Sequence, residues 1–206
     1  MASAPTTAAT PGRAAETAAR RSRIVESAVE LAREGGYDAV QMRDVAARAH
    51  VALGTLYRHY ASKDQLLLAA LAEQARELQQ SQHSHPPRGE SAADRVAEVL
   101  RRGCRAITRE PMVTTAMVTA LASPDPEAAA AKQGVYDALT SIISGALATD
   151  GVADLDRVVR VLGHVWFSTL AFWVGGLLTS TAMTDELEAT ASLLLAEDGR
   201  HEARAR

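Results

Sequence analysis

Residues 51–63 read Val-Ala-Leu-Gly-Thr-Leu-Tyr-Arg-His-Tyr-Ala-Ser-Lys and crowd hydroxyls, cations and a glycine into one helical turn pattern. These residue types suit contact with an anion better than the filling of a core. Gly54 removes a side chain where a helix end must approach a backbone closely, and the free N–H groups of a helix N-terminus bind phosphate. Thr55 and Tyr57 offer hydroxyls and apolar surface for phosphates or thymine methyl groups. Lys63 falls in the first turn of the next helix, where a cation opposes the helix dipole unless an anion lies beside it. Arg43, near the start of the preceding helix, has the reach for a guanine edge. By spacing alone, a plain helical hairpin with a polar face fits equally well.

No other constellation carries chemistry so clearly. There is no nucleophile–base pair at a recognisable motif, no phosphate-binding glycine loop and no zinc signature, so neither enzymatic activity nor a cofactor or metal is expected. His83 and His85 lack a third ligand and read as part of a solvated linker. His164, on an apolar helix, reads as a satisfied core histidine. The single cysteine, Cys104, reads as a small helical residue, and one cysteine cannot form an internal disulfide. A reducing, cytoplasmic location is the expectation. The N-terminus lacks the apolar segment of a signal peptide.

The elements that position these residues are helices. Alanine is abundant, β-branched clusters are few and no alternating run is bounded by turn signals, so the expected fold class is all-α, with about nine helices. Residues 1–15 read as a disordered arm. Helices are expected over 16–34, ended by Gly35-Gly36, then 41–49 and 53–60, with a turn at His50-Val51-Ala52. Met42, Val45, Ala46, Ala49 and Val51 face Leu56 and Tyr60, which makes the pair a helix-turn-helix. A fourth helix opens at Ser62, three residues before Gln65, a capping-box spacing. Residues 81–89 read as a loop dividing the chain. Further helices are expected over 92–109, 111–122 with Pro111 first, 127–148, 155–178 and 185–196, with a turn at Asp150-Gly151. The domains are then 16–62 for DNA binding and 63–200 for ligand binding and dimerisation, followed by a tail over 201–206.

Charge divides the same way. Residues 1–63 hold nine Lys/Arg and six Asp/Glu, a balance of +3, so the remainder carries −6 of the net −3. A basic first third on an acidic body fits an N-terminal part that meets a polyanion. Arg13, Arg20, Arg21 and Arg23 add candidates for phosphate or minor-groove contact. Between Arg160 and Asp185 there is no charged side chain. That length would span a bilayer, but its glycines, His164 and Thr179-Ser180-Thr181 favour a buried interface helix and no membrane.

At residues 20–71 a resemblance becomes specific. "RIVESAVELAREGGYDAVQMRDVAARA" and "LGTLYRHYASKDQLLLAAL" resemble the DNA-binding domain of the TetR-family transcriptional regulators. The resemblance implies base or phosphate contacts from Arg43, Leu53, Gly54, Thr55, Tyr57, His59 and Lys63. Three positions depart from the common pattern. His50 stands for the usual turn glycine and Ala52 for a capping serine, which softens the turn. Gln41 stands for threonine at a phosphate contact, and Gln also donates to phosphate. "VALGTLYRHYASK", "REPMVTTAM" and "VWFSTLAFWV" are further similar to actinobacterial members that repress cholesterol and steroid catabolism and respond to coenzyme A thioesters of steroid side-chain acids.

For the C-terminal body, Met112, Met117, Leu121, Ile142, Ile143, Trp166 and Leu170 are candidates for lining an apolar effector site, with plain core as the alternative. Arg101, Arg102, Arg105 and Arg109 are candidates for coenzyme A phosphates, or a solvated helix face. Leu162, Trp166, Leu170, Trp173 and Leu177 form a stripe, and Gly175-Gly176 would admit a second helix. The resemblance places the last two helices in a four-helix dimer interface, with Trp173, Leu177 and Leu187 as contacts. It implies a homodimeric repressor on a palindromic operator, released by an apolar small molecule. An enzyme or carrier using the apolar body, an activator, and a regulator without this ligand remain as alternatives.

Overall fold

The computed structural model describes residues 11–147, 152 and 154–196. All regular structure among them is helical: α1 (Pro11–Ala39), α2 (Met42–Arg48), α3 (Leu53–His59), α4 (Lys63–Ser84), α5 (Ala92–Thr108), α6 (Pro111–Ala122), a 3-10 turn (Pro126–Ala128), α7 (Ala129–Leu147), α8 (Leu155–Val174) and α9 (Ser180–Ala196). Residues 11–15, expected in the arm, are helical, while residues 1–10, the Asp150-Gly151 turn and the tail lie outside the described residues. α1 is broken at Gly35-Gly36, where Gly36 takes φ 69, and its chain makes one further turn to Ala39.

Three further boundaries differ from the sequence expectation. α4 continues to Ser84, because Gln82 is buried and His83 Nδ1 lies 3.0 Å from the Gln79 carbonyl of its own helix. The expected single helix over 155–178 stops at Val174. Gly176, at φ 74, receives a cap in which the Leu177 N–H donates to Phe172 O at 2.8 Å and the Gly176 N–H to Trp173 O at 3.0 Å. The glycine pair therefore ends a helix instead of admitting a neighbour. α9 starts at Ser180, with Thr179 Oγ1 accepting from Ala182 N. The uncharged run is thus two helices, and no described helix is long and apolar enough to cross a membrane.

Two apolar clusters organise the chain. The first joins Ile24, Ala28 and Leu31 of α1, Val45 and Ala46 of α2, Leu56 of α3 and Leu66–Leu68 of α4 to Val113, Ala116 and Met117 of α6. The second gathers α5, α7, α8 and α9 around Leu100, Ile142, Leu162, Met183 and Leu187. α4 and α6 contribute to both. Burial pushes the Cys104 thiol up within the second cluster, so it is a packed, unreactive side chain.

Polar contacts fix the first turn of α4 in this frame. Ser62 Oγ accepts from Gln65 N at 3.3 Å and donates to Asp125 Oδ2 at 2.7 Å, just ahead of the 3-10 turn. Gln65 Oε1 accepts from Ala61 N, one residue short of a true capping box, and its Nε2 donates to Glu127 O. Buried Asp64 accepts from the Tyr37 hydroxyl at 2.6 Å. Arg33 pairs with Glu110 at 2.8 Å, tying α1 to the start of α6.

Burial, and next the Asp64 carboxylate, push the Tyr37 phenol up to about 12 from 10.0. The unfolded phenol ionises first, so its contribution is complete below pH 10 and is lost as pH climbs toward 12. Tyr37→Phe strands a buried carboxylate and is expected to cost about 1–3 kcal/mol at neutral pH. In urea unfolding, the gap between wild type and variant narrows from pH 10 upward.

Candidate functional site

Two sites emerge, an exposed helix face at one end and a cavity in the body. At the first, Ala52 N-caps α3 without a side-chain bond, and its carbonyl accepts from Thr55 N at 2.8 Å. His50 adopts φ 53, the left-handed conformation that a glycine takes without strain. The turn still closes, through Val51 N donating to Ala46 O at 2.9 Å and His50 N donating to Ala47 O at 3.2 Å. Leu56 and Tyr60 are buried, whereas Gly54 and Arg58 are exposed and Tyr57 is 50% exposed. A methyl group built at Gly54 meets nothing within 4 Å, so no internal contact requires glycine there.

Arg43 is exposed on α2. Gln41 is exposed too, with its Nε2 donating to Asp38 O at 2.8 Å. Leu53, Thr55 and His59 are half-buried along the same helix, and Thr55 Oγ1 accepts from Arg58 at 3.0 Å. Lys63 answers its unfavourable position in the dipole internally. Its Nζ lies 3.7 Å from the Tyr37 ring centroid and donates to Tyr37 O at 3.3 Å. The arm arginines are partly committed, Arg20 to Glu16 at 3.1 Å and Arg21 over the Tyr60 ring at 5.8 Å, while the Arg13 side chain lies outside the described ones.

The second site is a partly open, apolar cavity of about 540 Å³ lined by α4 to α8. Met117, Leu121, Trp166 and Leu170 line it, as the sequence suggests. Met112 does not. It is 49% exposed and packs near Gly36, because it precedes the stretch of α6 that faces the cavity. Ile142 and Ile143 are buried in the second cluster, one to two turns of α7 beyond the lining residues Val135, Tyr136 and Leu139. His164 is exposed and borders the cavity, so it is not a core histidine. The residues named from the sequence do not include the lining residues Leu71, Ala75 and Leu78 of α4, or the polar Gln74, Lys132, Gln133 and Tyr136.

Arg101, Arg102 and Arg105 of α5, and Arg109 just after it, do not line the cavity. Arg101 bridges Glu98 at 3.2 Å and Glu188 of α9 at 3.0 Å, and Arg102 pairs with Glu98 at 2.8 Å. The cavity-facing residues of α5 are Gly103, Ala106 and Ile107, and a Cβ added at Gly103 would sit 2.6 Å from the Trp166 ring.

Phe172 of α8 is 49% exposed, Leu177 of the α8–α9 connection 75% and Leu193 of α9 72%. Trp173 is half-buried and donates to Ser180 Oγ at 3.1 Å. Leu187 is fully buried in the chain's own core and is unavailable to a partner. Leu162 and Leu170 of the expected stripe likewise face inward.

A short helix-turn-helix with an open recognition face, joined to a helical body around an apolar cavity, defines a ligand-sensing regulator class. Residues 24–70 match the model for bacterial regulatory proteins of the tetR family, and residues 89–194 match the tetracyclin repressor-like C-terminal domain. The chain belongs to the TetR family. Within it, the similarity runs to the HTH-type transcriptional repressor KstR of Rhodococcus jostii (strain RHA1), 38% identical over 88% of this chain and 85% of that protein. A TetR transcriptional regulator from Rhodococcus sp. RHA1 has the same fold, with a TM-score of 0.79 and 31% identity over 87% of this chain and 97% of that one. Thermus thermophilus FadR, a transcriptional repressor solved with lauroyl-CoA, superposes with a TM-score of 0.69 and 26% identity over 85% of this chain and 93% of that one.

Gly103→Ala is expected to force the Trp166 ring out of its position. Overpacking of this kind costs about 1–3 kcal/mol. Chemical denaturation measures the loss, and a shifted indole emission reports the displaced ring.

Proposed function

We propose that this protein is a homodimeric transcriptional repressor that binds a palindromic operator and is released by an apolar effector. One observation carries the reading. α4 and α6 belong both to the core beneath the DNA-facing helices and to the cavity wall, and Met117 stands in both. A ligand filling the cavity therefore acts on elements that hold the recognition helix. By linkage, ligand and operator weaken each other's binding by the same factor.

At the DNA, α3 enters the major groove. Gly54 lets the N-terminal end of the helix approach the backbone, and Tyr57 and Thr55 meet phosphates or thymine methyls. Arg43 reads a base edge, and Gln41, Leu53, His59 and Lys63 complete the contact set. For Lys63 this means leaving the Tyr37 carbonyl for a phosphate. The exposed apolar side chains of α8, α9 and their connection, Phe172, Leu193 and Leu177, cover one another across a two-fold axis. An acyl-coenzyme A thioester, with a steroid-derived acid as its apolar part, is the effector class we favour. Its support is the similarity to KstR and the lauroyl-CoA bound by FadR. Of the four candidate arginines, Arg105 and Arg109 are exposed; Arg109 is the one best placed to meet phosphates, since Arg105 stands 3.8 Å from Glu98 Oε1.

Selection from a random duplex library by the purified protein is expected to enrich one palindrome. Recovery of no sequence above background defeats the reading. On that operator, Gly54→Ala leaves thermal stability intact or slightly higher, since alanine is the better helix former by about 1 kcal/mol, yet weakens binding. Lys63→Ala weakens binding uniformly across sequences and lowers the salt slope by about 1. In sedimentation, Leu177→Glu is expected to shift the protein toward monomer, with operator affinity lost in parallel.

A further inference from the structure

The one lysine or arginine among the described cavity-lining residues is Lys132, half-buried on α7. Its ammonium does not point to a carboxylate. It donates to the backbone carbonyl of Ser123, at the end of α6. Ser123 begins a chain of polar contacts. Its Oγ accepts from Asp125 N at 3.2 Å, and Asp125 Oδ2 accepts from Ser62 Oγ at 2.7 Å. Ser62 caps α4 through Gln65 N. The next two residues of α4, Lys63 and Asp64, both engage Tyr37 of the DNA-facing domain. A cation in an apolar wall is thus linked by consecutive bonds to the first turn of the helix that carries that domain.

We propose that Lys132 is the trigger of effector response, and that it selects an apolar ligand bearing an anionic group. The inference rests on reading the cavity as the effector site. An anion within reach of the ammonium outcompetes a neutral carbonyl, because two opposite full charges attract more strongly than a charge and a dipole, and the surrounding apolar wall screens them little. As Lys132 turns to the ligand, the Ser123 carbonyl loses its donor. The Ser123–Asp125 turn then no longer pins Ser62, and the first turn of α4 is released. A neutral apolar molecule fills the same space and leaves the Lys132–Ser123 bond in place. Ligand size is set by the apolar wall, and the signal by the charge.

The test uses the full chain on the selected operator, with anilinonaphthalenesulfonate as an apolar anion and phenylnaphthylamine as its uncharged counterpart. Without any ligand, Lys132→Met is expected to bind the operator at least fivefold more weakly than wild type, and Lys132→Arg within about twofold. Asp125→Ala weakens binding similarly, and the double variant Lys132→Met/Asp125→Ala loses no more than either alone, since both break one chain of contacts. The sulfonate lowers operator affinity of the wild type and binds Lys132→Met about tenfold more weakly. The neutral probe binds both forms alike. Melting curves establish folding, and Lys132→Gln replaces Lys132→Met should the latter not fold. Additive losses in the double variant, equal dependence of both probes on Lys132, or failure of the sulfonate to bind would each overturn the proposal. Failure of the regulator reading itself looks different, since wild type then shows no sequence-selective DNA binding at all.

Discussion

The first turn of α4 is the constraint on which the rest depends. A helix start leaves N–H groups unsatisfied and favours negative charge. Here those demands are met by groups from three different places. Ser62 caps the turn from within, Asp125 reaches it from the α6–α7 connection, and Tyr37 approaches from the end of α1. The buried Asp64 carboxylate suits the positive end of the helix, but it needs the Tyr37 hydroxyl to stay buried. Lys63 does not suit that end, and stacking on the Tyr37 ring offsets the mismatch. One turn therefore registers the DNA-facing helices against the body.

The apolar packing is arranged around that junction. Leu66, Leu67 and Leu68 bury themselves in the first cluster immediately after the polar turn. A little further along α4, Leu71, Ala75 and Leu78 border the cavity. α6 divides its sides similarly, with Val113 and Ala116 against α1 and Leu121 toward the cavity. No rigid boundary separates a reading head from a sensing body. Close-packed interiors transmit displacement, and the helices shared by both clusters provide the route.

Much of this was legible in the residues. Turn residues and apolar period mark α2, α3, α5 and α6 to within a residue or two, because both signals are local: at α6 it is Pro111 at the first helical position, and at α5 the structure adds the Ser91–Asp94 capping box. Val45, Ala46 and Leu56 show their buried faces by spacing alone. The misplaced boundary of α8 has a physical source. Gly175-Gly176 lie in an uninterrupted apolar run, and only the cap bonds from Leu177 and Gly176 show that the chain reverses there.

Sequence by itself determined the all-helical class, the helix-turn-helix and the set of polar residues on its outer face, since these follow from propensity, period and caps within a few residues. Tertiary structure alone decided which apolar side chains enclose space. Met112, Met117, Ile142 and Trp166 look alike as sequence, yet only Met117 and Trp166 reach the cavity, because helix rotation and the missing side chain at Gly103 set what each one faces. The same holds for Leu177 and Leu187, one exposed in the α8–α9 connection and the other fully buried on α9. Periodicity states that a residue is apolar on a face. Which face turns inward is fixed by packing partners far away in the chain, and so is the meeting of Lys132, Ser123, Asp125 and Ser62.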